Sequence, residues 1–169
     1  LLSYASYIAD SGFCGDRSIA TLEGSTGLGY GKNETYYQIN NRLFNTYQPQ
    51  YSCPQNQDLY TTRNSTKGNK SLEYPIGLIT LDEGMYAGGT VFNSNESYYL
   101  YTGDYYWGLT PVGFDGSYAV VGGVNSFGRL FSDYRVNYSR GVRPVINLKS
   151  DAGQLIGDGT VSNPYQLAE

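Results

Sequence analysis

One stretch commits the backbone to a path more firmly than any other. Residues 72–79, "LEYPIGLI", form a largely apolar run that reads as a buried strand, and they pass without a break into "TLDEGMYAGG". There Thr80 and Glu83 stand three apart, the spacing of a capping box. In that box the threonine hydroxyl accepts from the Glu83 N–H, and the glutamate side chain accepts from the Thr80 N–H. Asp82 and Glu83 also suit the positive end of a helix dipole. Gly88 and Gly89 close the helix, where a positive φ costs glycine nothing. A strand running into a short capped helix is therefore expected at mid-chain.

On either side the pattern is looser. In "LLSYASYIADSGF" Leu1, Ala5, Ile8 and Ala9 fall at helical spacing, with Gly12 as a stop. "TLEGSTGLGYGKNET" reads as loop. "YYQINNRLFNTY" carries a short helix or strand with Leu43 and Phe44 inward, and the following "QPQYSCPQNQDLYTTRNSTKGNKS" is rich in turns. From Tyr98 onward the chain reads as β. "SYAVVGGV" and "RLFSDYRV" flank "NSFG" as a hairpin with a four-residue connection. Alternation puts Ala119 and Val121 on one face and Tyr118 and Val120 on the other. "GVRPVINLK" is a further strand, with "PVINL" read as core, and "GDGTVSNPYQL" gives a turn and a last short strand. With 169 residues this is one domain, 1–169, of α+β class. One or two short helices accompany a small twisted antiparallel sheet and long irregular loops.

Composition limits the chemistry. A net charge of −4 argues against nucleic acid as partner. No apolar run approaches the ~18 residues of a membrane helix, so no membrane insertion by this segment is expected. The sequence begins at Leu1, which reads as a fragment or processed product. Histidine is absent, which removes the commonest general base and metal ligand. "GYGKNET" misses P-loop spacing, and no nucleophile-elbow or dinucleotide fingerprint occurs. No catalytic residue, cofactor or metal is assigned. Asp82 and Glu83 are explained by helix capping, while Asp151 and Asp158 leave open a calcium ion in a glycine-rich turn.

The two cysteines, Cys14 and Cys53, suggest one disulfide and an oxidising compartment; two unpaired buried thiols are the alternative. A bridge of that span stabilises by roughly 4 kcal/mol in the chain-entropy treatment. Asn-x-Ser/Thr triplets at Asn33, Asn64, Asn69, Asn95 and Asn137 are what so much Asn, Ser and Thr gives by chance.

The densest feature is "NSFGRLFSDYRVNYSRGVRP", residues 125–144. Tyr, Phe and Arg offer large contact areas, and Ser, Gly and Asn offer adaptable polar contacts, which is the composition of a paratope. Arg129, Arg135 and Arg140 suit acidic groups or aromatic faces, and Tyr118, Tyr134 and Tyr138 suit anchoring. The plainer alternative makes Phe127 and Phe131 the core of a hairpin, with solvated arginines around them. Trp107 reads as buried scaffold.

"YPIGLITLDEGMYAGG", "YYLYTGDYYWGLTP" and "GVRPVINLKSD…GDGTVSNPYQL" resemble a domain of secreted and surface proteins of gut Firmicutes. The likeness runs over nearly the whole chain, most specifically Tyr74 to Leu167. That domain resembles the C-type-lectin-like fold of formylglycine-generating-enzyme-like domains and of the variable proteins of diversity-generating retroelements. In those variable proteins a stretch near the last core strand is diversified and displayed to bind ligands. The resemblance places that stretch at about 112–140. It implies scaffold at Ala119, Val121, Val124, Leu130 and Val136. It implies exposed, ligand-binding positions at Tyr118, Val120, Gly122, Gly123, Phe127, Arg129, Phe131, Asp133, Tyr134, Arg135, Tyr138 and Arg140. Those residue types are among the ones adenine replacement in Asn codons produces. The chain departs from the enzymes of that fold, whose redox cysteines lie in the C-terminal half, and from calcium-dependent lectins, since Glu-Pro-Asn, Gln-Pro-Asp and Trp-Asn-Asp are missing. The expectation is a non-enzymatic module, extracellular or on a cell or virion surface, that binds a protein or cell-surface ligand. A carbohydrate-binding or glycan-active domain and a structural tip domain of a surface fibre are the alternatives.

Overall fold

The computed structural model describes residues 2–20, 34–160 and 162–168. The stretch read as loop from Thr21 lies almost wholly outside them, as do Asn33 and most of "GYGKNET". Helices are few and short, and the named strands pair antiparallel throughout, so the architecture is α+β.

The central element is a four-stranded sheet. Its order is Thr35–Tyr36, Tyr106–Phe114, Ala119–Val124, Leu130–Arg135. The nine-residue strand Tyr106–Phe114 contains Pro111, which has no N–H to donate. The register shifts on both sides of Pro111, between Trp107 and Gly113, which is how a strand carries a residue the ladder cannot use. The hairpin read from "NSFG" is present. Asn125 and Arg129 still bond across its neck, Asn125 N–H to the Arg129 carbonyl at 3.0 Å. This leaves Ser126–Gly128 as the loop, with Gly128 at φ +70°.

The capped helix forms at Leu81–Tyr86 with both halves of its box. Glu83 N–H donates to Thr80 Oγ1 at 3.1 Å, and Thr80 N–H donates to Glu83 Oε2 at 2.8 Å. Its end is a Schellman motif: Gly88 N–H donates to the Met85 carbonyl and Gly89 N–H to the Gly84 carbonyl, with Gly88 at φ +96°. Six residues are too few for a helix to stand alone. This one is held by Leu81, which packs with Ile39, Leu43, Val91, Tyr106, Val112, Val120, Val124 and Leu130 in one buried cluster. Leu43 comes from a π-helical turn, Asn40–Asn45, and Phe44 packs half-buried beside it.

Several expectations need correction. "LEYPIGLI" supplies only a half-buried two-residue strand, Gly77–Leu78. The N-terminal helical spacing yields a 3-10 helix, Leu2–Tyr7, that gives way to the strand Ile8–Ala9. "PVINL" is not core. It divides into Pro144–Val145, paired with Gly77–Leu78, and Asn147–Leu148, paired with Ile8–Ala9, and both Ile146 and Leu148 are exposed. Each piece lies on a ribbon of two-residue strands, too short to bury its apolar side chains on both faces. The tail does form the expected turn and last strand, as a ribbon of Leu155–Ile156 and Gln166–Leu167.

Cys14 and Cys53 form the disulfide, across a sequence separation of 39. It fastens the Phe13–Cys14 strand, paired with Leu59–Tyr60, to the turn-rich segment after the π turn. No helix among the described residues is long and apolar enough to cross a membrane.

Candidate recognition site

The hairpin is held firmly enough to present side chains. The Asn125 side-chain oxygen accepts from the backbone N–H of Phe127 and of Arg129, both at 3.0 Å. The neighbouring loop clasps it from outside: Leu130 N–H donates to the Thr90 carbonyl, and Asn95 N–H to the Phe127 carbonyl. Phe127 therefore stands at a braced tip, 54% exposed.

At the other end of the hairpin Asp115 organises a second turn. Its Oδ1 accepts from Ser117 N–H at 2.9 Å and Tyr118 N–H at 2.7 Å. These bonds, with the Arg135 charge, hold its carboxyl below the usual aspartate range. Its Oδ2 takes the Arg135 Nε–H at 3.0 Å, and the Arg135 guanidinium lies 5.0 Å from the centre of the exposed Tyr118 ring.

Between these ends lies an aromatic box. The Arg140 guanidinium sits 4.8 Å from the Tyr105 ring centre and 5.1 Å from those of Tyr134 and Tyr138. Tyr134 also meets Phe131 at 5.3 Å and Trp107 edge-on at 5.8 Å. Arg129 lies 5.3 Å over Phe131. The Arg140 backbone is fixed from the next residue, since Gly141 exchanges hydrogen bonds with Tyr105 and Trp107. Tyr105, Asn125, Phe131, Asp133, Tyr134, Tyr138 and Arg140 together line a cleft of about 210 Å³.

Of the twelve positions singled out, Tyr118, Phe127, Asp133 and Tyr138 are exposed, and Arg129, Phe131, Arg135 and Arg140 are half-buried. The other four correct the expectation of exposure. Val120 belongs to the core cluster, because it rather than Ala119 is in phase with Val124; Ala119 and Val136, expected as scaffold, are exposed. Gly122 is buried under Leu81, whose side chain a Cβ would meet at 2.5 Å. Gly123 is buried under Tyr134, whose ring a Cβ would meet at 2.6 Å. Tyr134 itself is only 2% exposed and serves as the floor of the box. Trp107 is half-buried against it, and Tyr106 is the aromatic that fills the core. The plainer reading of Phe127 as hairpin core fails, while Phe131 is partly covered.

Tyr105 was not anticipated, although "DYYW" carries a signal: in a strand-bound run, if Tyr106 points inward its neighbour Tyr105 points outward. A second site also escaped notice. Arg42 donates from Nε and Nη2 to the two oxygens of Asp82, both at 2.9 Å, and from Nη1 to Asp16 at 3.0 Å. Burial pulls the guanidinium's pKa down, but the two carboxylates outweigh it and the net shift is upward. This triad lines a polar cleft of about 590 Å³ beside the disulfide, with the exposed Tyr51 ring at its edge, stacked on Tyr86 at 4.1 Å. Nothing local in the sequence marks Arg42, Asp16 and Asp82 as partners. Among the described residues no three acidic or cysteine side chains gather closely enough to hold a metal, and Asp158 spends its carboxylate on Thr160 within its own turn.

No protein-family model matches this chain, and neither the curated proteins nor the solved structures provide a match.

Proposed function

We propose that this is a non-enzymatic recognition domain, displayed outside the cell or on a virion, that grips a protein or cell-surface ligand with its Tyr/Arg face. One observation carries the reading: Arg129, Arg135 and Arg140 are each held over aromatic rings on one hairpin and its flank. A free arginine loses much rotamer entropy on binding, whereas a stacked one has already lost it. Exposed Tyr118, Phe127 and Tyr138 add apolar area beside them. The C-type-lectin-like scaffold and retroelement diversification are part of the same proposal. They are supported by the mixed α+β architecture with long loops, and by a rigid hairpin whose exposed residues are the types adenine replacement produces. The disulfide supports an oxidising location.

The test is a fluorescent tetramer of the domain applied to a panel of bacterial and animal cells. The variant Phe127→Ser/Arg129→Ser/Tyr138→Ser should lose staining at unchanged melting temperature. Equal staining by the variant would return the domain to a structural role. A second reading, glycan binding, is favoured by Tyr51: it is 71% exposed, backed by Tyr86, and borders the polar cleft, as a platform for a sugar face would. A glycan array on which signal disappears with Tyr51→Ala, and persists in the hairpin variant, would establish that reading instead.

A further inference from the structure

Three of the seven arginines fill the edge that carries Nε with an aspartate. Arg42 does so with Asp82 through Nε and Nη2, at 2.9 Å each. Arg17 does so with Asp58, Nε to Oδ1 at 2.8 Å, and Arg135 with Asp115 at 3.0 Å. The Nε–H groups of Arg140 and Arg129 are just as shut from solvent, yet have no acceptor within the described protein. An N–H buried without an acceptor has lost its water and gained nothing in return unless something supplies one.

Arg140 is the more constrained of the two. Three tyrosine rings surround its guanidinium, and Nη1 donates to the Ser139 carbonyl at 3.1 Å. What remains is the Nε edge. Tyr134, the floor of the same cleft, has a hydroxyl that is also buried and also without a partner. Burial pushes that phenol up, so it keeps its proton at neutral pH and is available as a donor. Two orphan donors thus share one cleft of about 210 Å³. We propose that this cleft receives the side-chain carboxylate of an aspartate or glutamate on a partner protein, bound side-on to Arg140 with Tyr134 as second donor. The geometry required is the fork that Asp82 already makes with Arg42. Exposed Tyr138 is the wall that tilts to admit it. Asp133 also lines the cleft, and its charge opposes an incoming anion, which makes it a specificity element rather than a ligand.

This inference rests on the Tyr/Arg face being the binding face, and its test is kept separate from that of the face. The Arg140 Nε–H cross-peak of ¹⁵N-labelled protein is followed while N-acetyl-glutamate amide is added, with N-acetyl-glutamine amide as the uncharged control. The cross-peak should move and saturate with the glutamate probe alone. Tyr134→Phe should weaken the apparent Kd by about tenfold or more, the value of one hydrogen bond to an ion. Asp133→Asn should tighten it about twofold, by removing an exposed like charge. Arg140→Lys, followed through the neighbouring Gly141 backbone amide, should abolish saturation, since an ammonium keeps the charge but not the fork. A still cross-peak, equal response to both probes, or weaker binding in Asp133→Asn would overturn the proposal. So would tetramethylammonium binding gained by Arg140→Ala, which would make the box a cation cage that Arg140 plugs. If glutamate fails while cell staining still depends on the face, only the ligand chemistry is wrong. If glutamate binds but staining ignores the face, the recognition reading is what falls.

Discussion

Arg42→Ala is the substitution whose cost can be worked out most directly from the structure. The guanidinium makes three charge-assisted bonds, two to Asp82 and one to Asp16. Side-chain exposures of 12%, 4% and 9% for Arg42, Asp16 and Asp82 put all three ions largely out of water. Truncating Arg42 leaves two buried carboxylates without a countercharge, though Asp82 keeps the Gln50 N–H and Asp16 the Ser18 donors, and breaking such a group from one side costs about 3–5 kcal/mol. For a chain of this length a loss of 1 kcal/mol lowers Tm by about 2–4 °C, so a drop of about 6–20 °C is expected. Calorimetric melts with the disulfide intact measure it. The informative control is Asp16→Asn/Arg42→Met/Asp82→Asn, which removes charge and partner together and should recover most of the loss. A drop under about 1 kcal/mol for Arg42→Ala would show that water reaches the triad and that its burial is not what holds the π turn to the helix.

Three further outcomes follow. The Asp115 carboxyl should titrate below 3.8 by ¹³C NMR, and as pH falls through that depressed value the Ser117, Tyr118 and Arg135 bonds should be lost together. Being lowered, it lends its stability above its unfolded pKa and withdraws it in acid; a midpoint at or above 3.8 would contradict the turn geometry. Burial raises the phenols of Tyr98, Tyr106 and Tyr134 above 10.0, so the stability they lend is intact below pH 10 and declines as pH rises further. Absorbance titration should show tyrosines ionising late and cooperatively with unfolding, whereas a single transition at pH 10 would show open phenols. Gly123→Ala should cost about 1–3 kcal/mol by driving a methyl into the Tyr134 ring and the Tyr106 carbonyl, as read by chemical denaturation.

What the sequence disclosed was what is local. The Thr80–Glu83 box, the glycine stop and the "NSFG" connection involve residues within a few positions of one another, and each was legible. The face assignments were not. Whether Val120 or Ala119 points inward depends on Leu81, some forty residues away, lying over Gly122, and a glycine has no side chain to announce its side. "PVINL" misled because apolar composition was read as depth, while the strands it pairs with are two-residue ribbons. The buried ion triad was hidden because its members come from three separate segments.

These errors bear on the site itself. The box works because Tyr134 is not at the surface. A ring buried beneath Arg140, fitted over a glycine that lacks the Cβ to push it away, gives the guanidinium a floor that cannot swing aside. Exposed rings alone, such as Tyr138 or Tyr105, would hold a cation only part of the time. The twelve positions divide accordingly into a fixed set, Val120, Gly122, Gly123 and Tyr134, that shapes the platform, and the eight exposed or half-buried ones, Tyr118, Phe127, Arg129, Phe131, Asp133, Arg135, Tyr138 and Arg140, which on the proposed function would meet the ligand. If the proposed diversification operates on this stretch, it would have to spare the first set and vary the second, because each change in the first is felt in the core before it is felt at the surface.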